Sequence, residues 1–248
     1  MPPRAILSKP KNLRIYLGST IFFIYIVISL VVAGLLILLS MFFSFEFRYW
    51  LAMGWIRSVI WMVKVCCGVD YEVEGLENLP KDRAAVVLSK HQSAWETLSL
   101  RLFLPTQTAL LKQSLLWIPI GGWALATLRP IAINRQNQKE ALKILIEQGS
   151  ACLKDGLWVV VFPEGTRTFP GEDTKFSAGG AMLAHKTGAP VVPLAHNAGE
   201  FWPRYSFFKY PGTIKVKIGP VISTENKKAK DINDEAHAWI KQAMASMV

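Results

Sequence analysis

Acidic residues are scarce in the first part of this 248-residue chain, where Glu46 is the only one before Asp70. Between Arg14 and Glu46 charge of either sign is missing. The gap covers about 30 residues, and about 20 apolar residues are enough to cross a bilayer as a helix, so an ordinary water-exposed segment is excluded there. Cysteine is scarce as well: three residues, with Cys66 and Cys67 adjacent, make neither a disulfide framework nor a metal-ligand spacing. We therefore expect a reducing compartment around the body of the protein and no bound metal or other cofactor. A G-x-S-x-G nucleophile elbow is missing, as are internal repeats, low-complexity linkers and any base-reading motif.

What is present is apolar and basic. Hydrophobic residues make up 51% of the chain and charged ones 19%, so the apolar excess must be concentrated. The length accommodates one sizeable domain plus something smaller; residues 1–69 are expected to anchor the chain in a membrane and 70–248 to fold beside it. Arg4, Lys9, Lys11 and Arg14 resemble the basic start of a signal peptide, but the apolar part of such a peptide runs only about 7–15 residues, and no cleavage is expected. A second apolar segment, Tyr49 to Val69, carries Tyr49, Trp50, Trp55 and Trp61 with Arg57 and Lys64, a mixture suited to the headgroup level. Either Leu17–Phe45 spans once as a single anchor helix, or it bends near Ala33-Gly34 and forms with the second segment a hairpin embedded in one leaflet. Basic residues flank both ends of the anchor, a symmetry the hairpin explains better. The formal net charge of +10 points to anionic lipid headgroups, at about 1 kcal/mol per nearby cation, ahead of nucleic acid, which is not expected as a partner.

After Val69 short apolar runs alternate with helical patterns. Strands are expected at Tyr71–Glu74, Ala84–Ser89, Thr108–Leu111, Pro130–Ile133, Leu157–Phe162, Val191–Ala195 and Thr213–Ile218. Helices are expected at Ala94–Leu104, Gly122–Leu128, Gln136–Lys154, Gly180–Thr187 and Ile232–Met247. The continuously apolar runs Ala84–Leu88 and Val159–Phe162 suit strands covered on both faces. The fold class is α/β, a largely parallel central sheet flanked by helices. Lys227, Lys228 and Lys230 read as the solvated entrance to the last helix.

Two polar stretches close two of those apolar runs. In "KHQSAWETL", His91 follows a strand, at the edge where open α/β sheets place their ligands, and Glu96 lies five residues on. In a continuous helix that spacing turns about 500° and separates the two side chains, so they can meet only if His91 precedes the helix. Ser93-Ala94-Trp95-Glu96 is a capping box that starts a helix near Ala94, and by that reading alone Glu96 merely satisfies the Ser93 N–H. In "VVVFPEGTRT", Pro163 ends a strand, Gly165 permits positive φ or close approach of a ligand, and Arg167 offers a planar fork suited to phosphate.

Together with "IPIGGWALATLRPIAINR" (118–135) and "APVVPLAHNAGEFWPR" (189–204), these blocks fall in the order and approximate spacing of the glycerolipid acyltransferase family, which the chain resembles over roughly Tyr71–Ile222. The resemblance is nearest to the bacterial branch that acts on lysophosphatidic acid. It implies a transferase that moves a fatty acyl group from acyl-CoA or acyl carrier protein to the sn-2 hydroxyl of lysophosphatidic acid, with the thioester as co-substrate. His91 would be the general base and Glu96 its orienting acid; Arg135 and Arg167 would bind the acceptor phosphate, while Glu164, Gly165 and Thr166 shape that loop. A Ser93 or cysteine nucleophile is the rival to direct transfer. Lys112 is either a donor to the reaction's oxyanion or a solvated lysine at an element boundary. Trp95, Leu98, Trp117 and Trp123 line an acyl groove or are simply core, and "FWPRYSFFKY" (201–210) docks on the membrane or packs on the sheet. The family usually has H-x-x-x-x-D where this chain has Glu96, so contact with His91 requires a retreating backbone or another rotamer. The resemblance also implies membrane lipids as partners and a domain on the cytoplasmic face, the inner membrane in a bacterium. The alternatives are an acyltransferase for another lysolipid and a catalytically silent lipid-binding protein.

Overall fold

The structure, a computed structural model, describes residues 12–247; Arg4, Lys9 and Lys11 lie outside them. Two long helices come first, α1 (Leu13–Leu39) and α2 (Phe45–Cys67). Asn12 caps α1 by accepting the Ile15 N–H at 3.0 Å, and Ser44 caps α2 by accepting from Phe47. Both helices are long and apolar enough to cross a bilayer, and α1 leaves Ile21, Val27, Ile28, Leu35 and Leu36 uncovered by protein. This is the membrane-associated part of the chain. The Trp55 indole donates to the Ser29 hydroxyl at 3.1 Å, a polar tie between the two helices.

The hairpin turns at 40–44, not at Ala33-Gly34, which α1 passes without interruption. Gly34 serves close packing instead. A Cβ there would lie 2.6 Å from Ile120 Cγ2, so the glycine admits the segment before helix α4 against the middle of α1.

The remaining elements are β1 (Val69–Glu74), β2 (Val86–Ser89), α3 (Trp95–Phe103), β3 (Gln107–Lys112), α4 (Gly121–Ala126), β4 (Ile131–Ile133), α5 (Gln138–Lys154), β5 (Trp158–Val161), α6 (Gly179–Thr187), β6 (Val191–His196), β7 (Gly212–Ile218) and α7 (Ala229–Ala245). Every expected strand and helix is found, with ends shifted by up to three residues. The seven-stranded sheet has the order β1-β7-β6-β2-β5-β3-β4. From β6 to β4 all neighbours are parallel; β7 runs antiparallel to β6, and β1 follows β7.

Side chains alternate across the sheet, and both faces are covered. Val87, Trp158, Val160, Val192 and Leu194 meet Met53, Ile56 and Val59 of α2 and Trp95 and Leu100 of α3. Val86, Leu88, Val159, Val161 and Val191 meet Leu145, Leu183, Ile232 and Ala236 of α5–α7. Each large apolar side chain so buried contributes about 1.5–3 kcal/mol. The membrane hairpin and the sheet thus share one core. Residues 201–210 lie between α1 and the sheet: Tyr16 meets Phe208 at 4.9 Å, Phe22 meets Trp202 at 5.1 Å, and the Lys209 N–H donates to the Ser19 hydroxyl at 3.0 Å, while Trp202 and Phe201 join the core with Val192, Leu194 and Ile214.

Candidate active site

Five parallel strands end along one rim. They deliver His196 (β6), His91 just after β2, Glu164–Arg167 after β5, Lys112 (β3) and Arg135 after β4. The carboxyl edge therefore collects His91, Glu96, Lys112, Arg135 and the 164–167 turn.

At its centre His91 Nδ1 lies 2.7 Å from Glu96 Oε1. The carboxylate can only accept, so Nδ1 carries the proton and Nε2 is left with an open lone pair. The same oxygen accepts the backbone N–H groups of Gln92 at 2.9 Å and Ser93 at 2.8 Å. Glu96 therefore meets the Ser93 N–H and the His91 ring at once. The longer arm does reach. Helix α3 begins only at Trp95, so the 91–94 turn wraps around the carboxylate. Ser93 is fully buried, and its hydroxyl donates to the Trp202 carbonyl at 2.7 Å; a nucleophile is not made this way.

Glu96 has no exposed surface. Burial opposes its charge, yet the imidazoles of His196 and His91 and the Ser93 N–H outweigh burial and hold the carboxyl below its ordinary value. His196, also fully buried, donates from Nε2 to the Lys90 carbonyl at 2.8 Å and accepts the Ala198 N–H at Nδ1. Burial pulls this imidazole below its ordinary value, against the pull of Glu96.

The FPEGTR turn grips His91 from the other side. Phe162 stacks on the imidazole, centroids 4.2 Å apart. Glu164 points inward: Oε2 accepts the His91 N–H at 3.0 Å, and Oε1 is paired with the Lys90 ammonium. Burial pushes the Glu164 carboxyl up while Lys90 opposes it. The Thr168 N–H donates to the His91 carbonyl at 2.8 Å. Gly165 has φ +70° with open space where a Cβ would stand, so the residue is required by backbone conformation and not by crowding.

Outside this knot the groups are looser. Arg135 donates to the Gly165 carbonyl. Thr166 is exposed, and Arg167 lies over the Tyr205 ring at 5.7 Å. Lys112 is exposed and shares a hollow with Gln113, Trp117, Asn134 and Arg135, one that His91 does not line. A groove of about 570 Å³ runs beneath the turn, with Leu110, Ile133, Leu142, Leu145, Val161 and Met182 as its apolar wall and Arg135, Glu164, Gly165 and Thr166 at its rim. Trp95 is core, packed against Tyr71 at 5.5 Å, whereas Trp117 and Trp123 are exposed.

The centre also holds Lys90 and His196, which from sequence alone read as a strand-end lysine and an ordinary polar residue. Lys90 carried a signal, a lysine at one strand end facing a glutamate at the end of what proves to be the next strand. His196 carried one too, as a polar residue closing the apolar run 191–195.

Among the described residues no group of three or more histidines, cysteines and carboxylates could hold a metal. A family profile described as Acyltransferase matches residues 70–197. The chain belongs to that family and is an acyltransferase. It is 48% identical over 207 residues to the 1-acyl-sn-glycerol-3-phosphate acyltransferase of Pseudomonas aeruginosa, covering 82% of this chain and 80% of the relative. It is 29% identical to the 1-acyl-sn-glycerol-3-phosphate acyltransferase alpha of Mus musculus and 32% identical to the 1-acyl-sn-glycerol-3-phosphate acyltransferase of Saccharomyces cerevisiae, covering 71% and 73% of this chain. The chain spans only 63% and 60% of those two relatives. The crystal structure of the 1-acyl-sn-glycerophosphate (LPA) acyltransferase PlsC from Thermotoga maritima superposes with a TM-score of 0.79 at 24% identity, over 95% of this chain and 96% of that one, and shares its fold.

Proposed function

We propose that the protein transfers a fatty acyl group from acyl-CoA or acyl carrier protein to the sn-2 hydroxyl of lysophosphatidic acid, forming phosphatidic acid. The carrying observation is that the His91–Glu96 pair and the FPEGTR turn are hydrogen-bonded to one another at one sheet rim. The names of the similar proteins support the choice of acceptor.

In this reading His91 Nε2 takes the hydroxyl proton as the alcohol oxygen attacks the thioester carbonyl. Glu96 holds the imidazole in the required tautomer and stabilises the imidazolium that forms, a role of about 10²–10⁴ in rate. The tetrahedral intermediate collapses by breaking the C–S bond, and the departing sulfur recovers the proton from His91. Ester and free thiol result, with no acyl-enzyme. Arg135 and Arg167 supply cations for the acceptor phosphate, and Lys112 shares the hollow beside Arg135. Glu164 holds the turn from within, Gly165 gives it its path, and Thr166 faces the acceptor.

The N-terminal segment, residues 1–69, would anchor the domain at 70–248 at the bilayer surface, where exposed Trp123 stands on α4, which packs on α1, and the acceptor's acyl chain can remain in lipid. A water-soluble thioester donor and the basic balance of the chain suit the cytoplasmic face. The test is thiol release from both donors with lysophosphatidate, on purified wild type and His91→Ala. Turnover should fall by at least about 10³ in the variant with membrane binding kept; retained turnover removes His91 as the base.

A further inference from the structure

Arg167 has a neighbour of the same kind. Arg204 lies in the 201–210 segment, its guanidinium carbon 4.7 Å from the centre of the Phe169 ring and 4.6 Å from that of Tyr205. Arg167 approaches the same Tyr205 ring at 5.7 Å. Two cations therefore flank one aromatic side chain, which is 79% exposed and held at φ +58°, a conformation rarely adopted outside glycine. Among the described residues no carboxylate lies within ion-pair distance of either arginine, and the Arg204 Nε–H is buried without a hydrogen-bond partner.

Both arginines are tied to the catalytic turn. Thr168, next to Arg167, donates to the His91 carbonyl, and the Trp202 carbonyl, two residues before Arg204, accepts from Ser93. Positive charge without acid partners, stacked on rings and carried one and two residues from bonds to the 91–93 turn, is suited to an anionic substrate group, since a guanidinium braced by aromatic rings presents its N–H edge.

We propose that Arg204 is a further arm of the phosphate site, acting with Arg167 on the side away from Arg135, and that the pair selects a phosphate monoester over a phosphodiester. The proposal rests on lysophosphatidic acid being the acceptor. A monoester carries nearly two negative charges above its second pKa of about 6 and can satisfy both guanidinium groups, whereas a diester carries one and leaves one cation uncompensated.

The test uses the full-length enzyme with Arg204→Gln and Arg204→Lys, varying lysophosphatidate, lysophosphatidylglycerol and the acyl donor in turn. For Arg204→Gln the KM for lysophosphatidate should rise about tenfold, the size of one charged hydrogen-bond arm, with kcat and the donor KM unchanged. The preference for lysophosphatidate over lysophosphatidylglycerol should shrink by the same factor, and Arg204→Lys should recover part of it. In wild type the KM should fall as pH is raised through the second phosphate ionisation, and this dependence should flatten in Arg204→Gln. An unchanged lysophosphatidate KM, an equal loss with both acceptors, or a rise confined to the donor KM would each overturn the proposal, the last by assigning Arg204 to a donor phosphate. If Arg204→Gln does not fold, Tyr205→Leu removes the shared ring and leaves both arginines: a selective rise in the lysophosphatidate KM supports the proposal, and an unchanged one overturns it. A wild type that ignores lysophosphatidate but acylates another lysolipid sinks the functional reading itself, a result distinct from any of these.

Discussion

The rim of the sheet has two halves built on opposite principles. Where β6, β2 and β5 end, His196, Lys90, His91, Glu96 and Glu164 are buried or nearly so and bonded to one another or to backbone. Where β3 and β4 end, Lys112 and Arg135 are exposed and share an open hollow. A group that must move a proton gains from being fixed before substrate arrives. A group that binds a flexible lipid headgroup needs charge and reach more than fixity. Damage to the first half should therefore cost folding and rate together, and damage to the second should show mainly in KM.

The largest effect is expected inside the buried half. Glu164→Leu leaves the Lys90 ammonium, 7% exposed, without its carboxylate, and losing one partner of a buried pair costs about 3–5 kcal/mol. Denaturant unfolding should show the loss, and Lys90→Met added to Glu164→Leu should recover much of it. A single variant of wild-type stability would show the two halves to be less different than their burial indicates.

Glu96→Asp tests the fixity itself. Glu96 Oε1 holds three donors at 2.7–2.9 Å, and withdrawing it by one methylene releases His91 or the turn. Misplacement of about 1 Å costs about 10² in rate, so kcat should fall by that order with little change in KM; near-normal kcat would mean that the turn follows the shorter arm. In the open half, Arg135→Ala should raise the lysophosphatidate KM about tenfold and leave the unfolding free energy within about 0.5 kcal/mol of wild type. A fall in kcat as large as that of Glu96→Asp would dissolve the distinction.

The same contrast governs what could be read from the sequence. The expected strands and helices are all present because apolar period and turn residues are local properties, and His91, Arg135 and the FPEGTR turn stand out because chemistry-bearing residues close apolar runs. The reversal of β1 and β7 was not legible, since pairing direction depends on partners distant in the chain. The hairpin bend was misplaced because Gly34 has a packing purpose, room for Ile120, that no local pattern records. The actual turn was marked, by Ser44 two residues before Glu46 at the head of a new helix. The buried ties Lys90–Glu164 and His196–Lys90 join residues 74 and 106 positions apart, and only the strand order makes them neighbours.

The smallest expected effect is the pH dependence of the buried half. Burial lowers the affinity of folded His196 for a proton, while in the unfolded chain it takes a proton below about pH 6.5. Below that point the unfolded state binds more protons than the folded one, so stability falls as pH falls, by at most about 1.4 kcal/mol per unit from this residue. Glu96 contributes later: its folded carboxyl lies below the ordinary value, so its stabilisation is complete above the ordinary carboxylate range and is lost only as pH drops through that lower value. Between about pH 6.5 and the carboxylate range the His196 slope is thus separable from that of Glu96. His196→Gln keeps a donor for the Lys90 carbonyl and cannot be protonated, so the variant should be less stable at pH 8 yet lose less on acidification to pH 5.5. Parallel unfolding curves across that interval would mean that the histidine reaches water more readily than its burial allows, and that the closed half of the rim opens as a unit.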